Sequence, residues 1–151
     1  MSIREYISAP IIVDGATIQD EYGNKYQLAY ASAPDPSLVG GFDSTNALAR
    51  LALRGISVFS ADTDLVPNAN AVHFMYIGEL DEEPSRSTSI NVRMVDQGWC
   101  YFSRTKGLVS TLSDEVSGSL VSGETRAVED RKGIWKHDFW YNMKGNRGNV
   151  N

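Results

Sequence analysis

The apolar run from Ile7 to Val13, followed at once by Asp14-Gly15, most constrains what this chain can fold into. A strand-length apolar segment closed by a turn dipeptide reads as the first arm of a hairpin. Ala16 to Glu21 alternates, and Tyr22-Gly23-Asn24 supplies a second turn. Lys25 to Ala31 reads as a third strand, ended by Pro34 and Pro36, which cannot donate to a ladder. The first third is therefore expected to be a β-meander.

Helical signals follow. Ser44 suits an N-cap, Leu48, Leu51 and Ala52 recur at helical spacing, and Gly55 sits where a C′ glycine belongs. Ile56 to Ser60 and Ala71 to Ile77 read as strands around a turn-rich segment, and residues 81–87 as a polar surface loop. Ser89 is expected to cap a second helix with Ile90, Met94 and Val95 facing inward and Gly98 ending it. Trp99 to Ser103 is aromatic and strand-like. A third helical region spans about Ser110 to Lys132, with Leu112, Val116, Leu120, Ala127 and Val128 inside; Gly118 and Ser122-Gly123 predict a kink or break. This order predicts an α+β domain: a five-stranded OB-type barrel with about three packed helices. Residues 1–142 read as one domain, and the Gly/Asn-rich residues 143–151 as a polar tail.

At 151 residues the chain can bury roughly 70% of its extended surface, enough for a core without staples. Fourteen basic against nineteen acidic side chains leave a formal charge of −5, which argues against a generic nucleic-acid binder. Cys100 is the sole cysteine, so no internal disulfide can form. No apolar run approaches the ~20 residues of a membrane span. The N-terminus lacks a basic-then-apolar signal segment. A cytoplasmic or organelle-interior location is expected.

Four segments carry a resemblance. Val13-Asp14-Gly15-Ala16-Thr17-Ile18 is similar to a V-D-G-D-T motif, and Tyr26 through Asp35 to R-L-x-G-I-D-A-P-E. Ile90-Asn91-Val92-Arg93-Met94-Val95-Asp96-Gln97-Gly98-Trp99 resembles V-N-x-x-L-V-x-x-G followed by an aromatic, and Gly123 to Trp135 resembles E-A-x-A-x-x-x-x-G-I/L-W. Together, over residues 10–140, they resemble the staphylococcal-nuclease-like family. The resemblance implies an OB-type barrel with packed helices. In that family calcium-assisted phosphodiester hydrolysis uses carboxylates on the ion, a Glu on the attacking water and two Arg on the phosphate. Here the family's metal-binding Asp positions correspond to Ala16 and Ser32, its first Arg to Gln27, and its Glu to Asp35. The stretch Pro67 to Tyr76, which corresponds to the segment of the second Arg, contains none. Losing the ion and both guanidinium groups removes most transition-state electrostatics. The expectation is a catalytically inactive nuclease-like domain, with no cofactor and no metal.

Other residues support alternatives. Tyr101 and Phe102, followed by Arg104 and Lys106, suit a non-cleaving single-stranded nucleic-acid-binding OB module, because such folds stack bases on aromatics beside a basic groove. The C-terminal cluster Trp135, Phe139, Trp140 and Tyr141 suits a protein interface, with Trp135 packed on the barrel. His73 and His137 lie too far apart in sequence for a zinc motif, and Cys100 reads as a small buried hydrophobe. The favoured expectation is a structural or protein-interaction module within a larger assembly. A divergent metal-dependent phosphodiesterase is the third reading.

Overall fold

The computed structural model describes residues 4–60, 72–80, 86–103 and 114–150. The chain opens with β1 (Arg4–Ile7); alternation and turns then build a meander of β2 (Ile11–Asp14), β3 (Thr17–Gln19) and β4 (Lys25–Leu28), followed by β5 (Ala31–Ser32). Helix α1 (Gly41–Leu51) leads into β6 (Ile56–Ser60) and β7 (Val72–Ile77). Helix α2 (Ile90–Asp96), β8 (Tyr101–Phe102), α3 (Asp114–Glu129), a 3₁₀ turn at Gly133–Lys136 and α4 (Asp138–Val150) complete the described order.

The α+β class holds, and several details differ from expectation. A six-stranded mixed sheet runs β1-β6-β7-β4-β3-β2, with β5 and β8 as a separate pair. All its pairings are antiparallel except β4 with β7. Among the described residues the ladder ends at β1 and β2, so five strands do not close into a hydrogen-bonded ring. The expected strand Ile7–Val13 is split at residues 8–10, and the expected strand Lys25–Ala31 breaks at Ala29-Tyr30. Tyr30 sits at φ 61°, in the left-handed region, and diverts the chain out of the sheet into β5. Among the described residues four α-helices stand where about three were expected, and α4 continues to Val150 through the segment expected to be a tail.

The two edge strands are neighbours in the chain. From Ile7 to Ile11 the backbone spans at most about 14 Å, whereas the edges of a flat six-stranded sheet lie about 24 Å apart. The sheet must therefore curl until β1 and β2 approach each other at that end.

Helix starts also shift. Helix α1 begins after Gly40, at φ 83°, rather than at Ser44. Ser44 is fully buried in the first turn, and its hydroxyl donates to the Trp99 carbonyl at 2.7 Å. The Ser89 cap is as expected, its hydroxyl accepting from the Val92 N–H at 3.2 Å. Helix α3 runs through Gly118 and Gly123 without interruption.

Ile18, Leu28, Leu48, Ile56, Met75, Ile90, Met94 and Leu120 form the fully buried core between the sheet and helices α1 to α3. Asn91 lies inside it, 1% exposed. Its Oδ1 accepts from the Met75 N–H at 2.9 Å, and its Nδ2 donates to the carbonyls of Ala29 at 2.9 Å and His73 at 3.2 Å. One side chain on α2 thus satisfies backbone groups where parallel β4 and β7 begin to separate. A second, smaller core gathers Ala127, Ile134, Trp135 and Trp140. The two cores meet where Gly98 and Gly133, at φ 80° and 57°, bring their backbones together; a Cβ on either would overlap the other strand of chain. The Ile134 N–H donates to the Gly98 carbonyl there at 2.8 Å.

Replacing Asn91 by Ala strands a buried N–H and at least one buried carbonyl, so about 3 kcal/mol of folding stability should be lost. Urea unfolding of Asn91→Ala beside the wild type checks this.

Candidate functional site

The turn at residues 14–16 is held by its own side chain. Asp14 Oδ1 accepts from the Ala16 N–H at 2.7 Å, as expected of an Asx turn. Gly15 is packed so closely on α1 that a Cβ would collide with the Ser44 hydroxyl, while the Cys100 thiol donates to the Gly15 carbonyl at 3.2 Å. Ala16 is 2% exposed, and its carbonyl receives the Leu28 N–H at 2.9 Å. Gln27 is half-buried on β4 opposite Thr17 and Val72, and Ser32 is half-buried on β5 opposite Tyr101. Asp35 is exposed. Its Oδ1 accepts from the Ser37 hydroxyl at 2.7 Å and the Ser37 N–H at 2.9 Å. Those two bonds hold its carboxyl below the ordinary value of 3.8. The carboxylates of Asp14 and Asp35 are thus engaged in shaping turns. Among the described residues no three His, Cys, Asp or Glu side chains group closely enough to hold a metal ion.

A second polar cluster links β1, the β3–β4 turn and β7. Asp20 is 5% exposed and accepts from the N–H groups of Tyr22 and Asn24, each at 2.9 Å. It also accepts from the Asn24 side chain at 3.1 Å and the Tyr26 hydroxyl at 3.1 Å. Burial works to raise its pKa, and these bonds outweigh it, keeping the carboxyl below 3.8. The Tyr26 hydroxyl also reaches Glu5 Oε2 at 2.9 Å. Burial, then the two carboxylates, push the phenol's pKa up, so it stays protonated. The Tyr26 ring meets His73 edge-on, with centroids 5.2 Å apart. A cavity of about 110 Å³ opens beside Glu5, Ser8, Asp20 and Tyr22. The only sequence signal for this arrangement was the spacing of Asp20 and Asn24 around Tyr22-Gly23, the pattern of a side-chain-capped turn.

The two aromatic clusters, separate in sequence, are joined in the fold. The rings of Tyr101 and Trp140 stack with centroids 5.9 Å apart and planes at 26°. With Trp135, Met143 and Lys144 they line a cavity of about 260 Å³. Phe102 turns the other way and stacks on buried Tyr30, centroids 6.5 Å apart. Arg104 and Lys106 lie outside the described residues. Trp140 is 7% exposed, and its Nε1–H donates to the Val39 carbonyl at 2.7 Å, so it anchors α4 rather than facing outward. Phe139 is 52% exposed and sits edge-on to Trp140. Tyr141 is 37% exposed and carries the Arg131 guanidinium 3.6 Å above its ring.

Paired with Lys144 of the aromatic cavity, Glu124 presents a buried carboxylate that the sequence alone did not reveal. Leu120, Glu124 and Ala127 fall on one helical face, so a charge at the middle position is carried into the interior. Its side chain is 5% exposed. Oε2 accepts from the Phe102 N–H at 2.6 Å, and Oε1 pairs with Lys144 Nζ at 2.6 Å. The signal was available as an acidic residue inside an apolar helical period.

His73 gives a pH test. Burial pushes its pKa below the ordinary 6.5, against smaller opposing effects from Glu5 and a hydrogen bond to the Phe59 backbone. The unfolded chain therefore binds this proton more readily than the fold. The contribution is complete above pH 6.5 and is lost as pH falls through the depressed folded value. Melting temperature should fall as pH drops below 6.5, with a smaller fall in His73→Phe.

A comparison with protein-family models finds no match for this chain. A comparison with curated proteins likewise finds none.

Proposed function

We propose that this chain is a non-catalytic, staphylococcal-nuclease-like OB module that serves as a structural or protein-interaction subunit of a larger assembly. The fold part of this reading is supported by strand order. If β1 and β2 are halves of one strand bent at residues 8–10, the sheet reduces to five strands in cyclic succession. The parallel pairing of β4 with β7 then takes its place between two antiparallel hairpins. The four resembling sequence segments support the same reading.

The loss of catalysis is supported by what the corresponding positions do. Ala16 is core, Gln27 is neutral, Ser32 is a ladder residue, and Asp35 caps its own turn. No charged fork stands among them to meet a phosphate.

One observation carries the interaction reading. Leu38, Val39 and Phe42, at 48%, 45% and 70% exposure, lie on one side of the Trp140–Val39 hydrogen bond, and exposed Phe139 lies on the other. Large apolar side chains exposed around a rigid anchor are the usual make-up of a protein contact. Residues Leu38 to Phe42 are fixed by turn bonds from Leu38 N–H to Asp35 O at 2.8 Å and from Gly41 N–H to Leu38 O at 3.0 Å. The patch is therefore preorganised, which lowers the ordering cost of association.

Phe42→Ser combined with Phe139→Ser should leave the melting temperature within a few degrees and release a partner that co-purifies with the wild type from native extract. Wild-type protein migrating as a bare monomer in every native extract overturns the interaction reading. No calcium-dependent cleavage of single-stranded DNA should be measurable; cleavage abolished by Asp35→Ala would show instead that the site still works.

A further inference from the structure

Lys144 joins the buried Glu124 carboxylate to a cavity lined by aromatic rings, the make-up of a site for an organic cation. Glu124, its side chain 5% exposed, is held by the Phe102 N–H and by the Lys144 ammonium, and taking one partner out of a buried ion pair is unfavourable unless another cation replaces it. The rings of Tyr101, Trp135 and Trp140 line the same cavity as Lys144, and aromatic faces attract cations most when water is excluded. The cavity of about 260 Å³ has the capacity of about nine liquid-state waters at ~30 Å³ each, enough for a methylated ammonium group.

In the structure the cation is internal. Lys144 extends from α4 and meets Glu124 at 2.6 Å, while its own side chain remains 34% exposed at the rim. The helix that delivers it is intrinsically weak. Lys144-Gly145-Asn146-Arg147-Gly148-Asn149 contains two Gly and two Asn, all poor helix formers, and no apolar residue. Lys144 can therefore leave the pocket at small cost in helix stability, provided that another cation takes its place beside Glu124.

We infer that the Tyr101–Trp135–Trp140 cavity, which Lys144 lines while pairing with Glu124, is a binding site for an organic ammonium group, and that Lys144 occupies it in cis as a displaceable stand-in. This does not depend on the protein-interaction reading. A bound anion is disfavoured, since the pocket already balances its one carboxylate with one ammonium. A neutral isostere lacks the charge that Glu124 requires.

The test removes the stand-in. Lys144→Met should melt below the wild type, and choline chloride should raise its melting temperature above that seen in equal sodium chloride. The uncharged isostere 3,3-dimethyl-1-butanol should give no such rise. In the double variant Glu124→Gln/Lys144→Met the choline-specific rise should vanish. By NMR, choline should shift the indole N–H resonances of Trp135 and Trp140 saturably in both wild type and Lys144→Met. The variant should bind at least about tenfold more tightly, the scale of one ion pair or cation–π contact. Nα-acetyl-trimethyllysine amide in place of choline separates a modified side chain from a free metabolite; the tighter binder names the source. A rise equal to that in sodium chloride, a rise that survives in the double variant, or equal response to the butanol overturns the inference. If Lys144→Met does not fold, the wild-type titration decides, and the absence of a saturable shift overturns it.

Discussion

The amide of Asn91 is the constraint on which the rest of the structure depends. Strands β4 and β7 run parallel for two residue pairs and then part, because Ala29 and Tyr30 turn away toward β5. At a parting of strands inside a core, backbone groups lose ladder partners and water cannot replace them. Asn91 supplies two donors and an acceptor at that point, reaching Ala29, His73 and Met75. The Ala29 N–H completes the junction by donating to the His73 carbonyl at 2.7 Å. An apolar residue there would fill the space and leave the polarity unmet. The bond set also locks α2 to the sheet, and α2 in turn carries Gly98, Trp99 and Cys100 to the Gly15 turn.

A second polar anchor plays the same part for the C-terminal layer. Glu124 ties β8 to α3 through the Phe102 N–H and ties α4 to both through Lys144. The two anchors differ in kind. Asn91 is neutral and fully enclosed, so its bonds are fixed. Glu124 is charged and depends on a cation from a helix of low intrinsic stability, so its partner can change. The first holds the fold together, and the second meets the aromatic cavity through Lys144.

Asp14, Ala16 and Asp35, the positions compared with catalytic ones in the proposed nuclease-like reading, have structural work here. Asp14 and Asp35 spend their oxygens on neighbouring N–H and hydroxyl groups, and Ala16 lies in the core. A carboxylate bonded to its own turn is prepaid for that geometry and has little left with which to hold an ion. Phe139 is exposed and edge-on to Trp140, and Leu38, Val39 and Phe42 are exposed on the segment whose Val39 carbonyl Trp140 binds.

Much of the local structure could be read from the chain itself. The Asp14-Gly15 and Tyr22-Gly23-Asn24 turns, the Ser89 cap, the end of α2 at Gly98 and the burial of Cys100 all follow from short-range chemistry, and the structure bears them out. What the chain alone did not reveal depends on neighbours distant in sequence. Gly118 and Gly123 were expected to break α3, yet the helix is continuous. Gly123 is buried opposite Asp96 of α2, whose carboxylate lies where a Cβ would stand, so the helix passes the glycine with its face packed on α2. Ser44 looked like a cap and is instead held by Trp99, fifty-five residues away. Tyr101 and Trp140 were assigned to different surfaces and stack on one another. The sequence by itself determined which segments turn, pleat or coil, because propensity and capping act over a few residues. Only the tertiary structure decided which charges are buried and which aromatics meet, because burial is set by what packs on the other side.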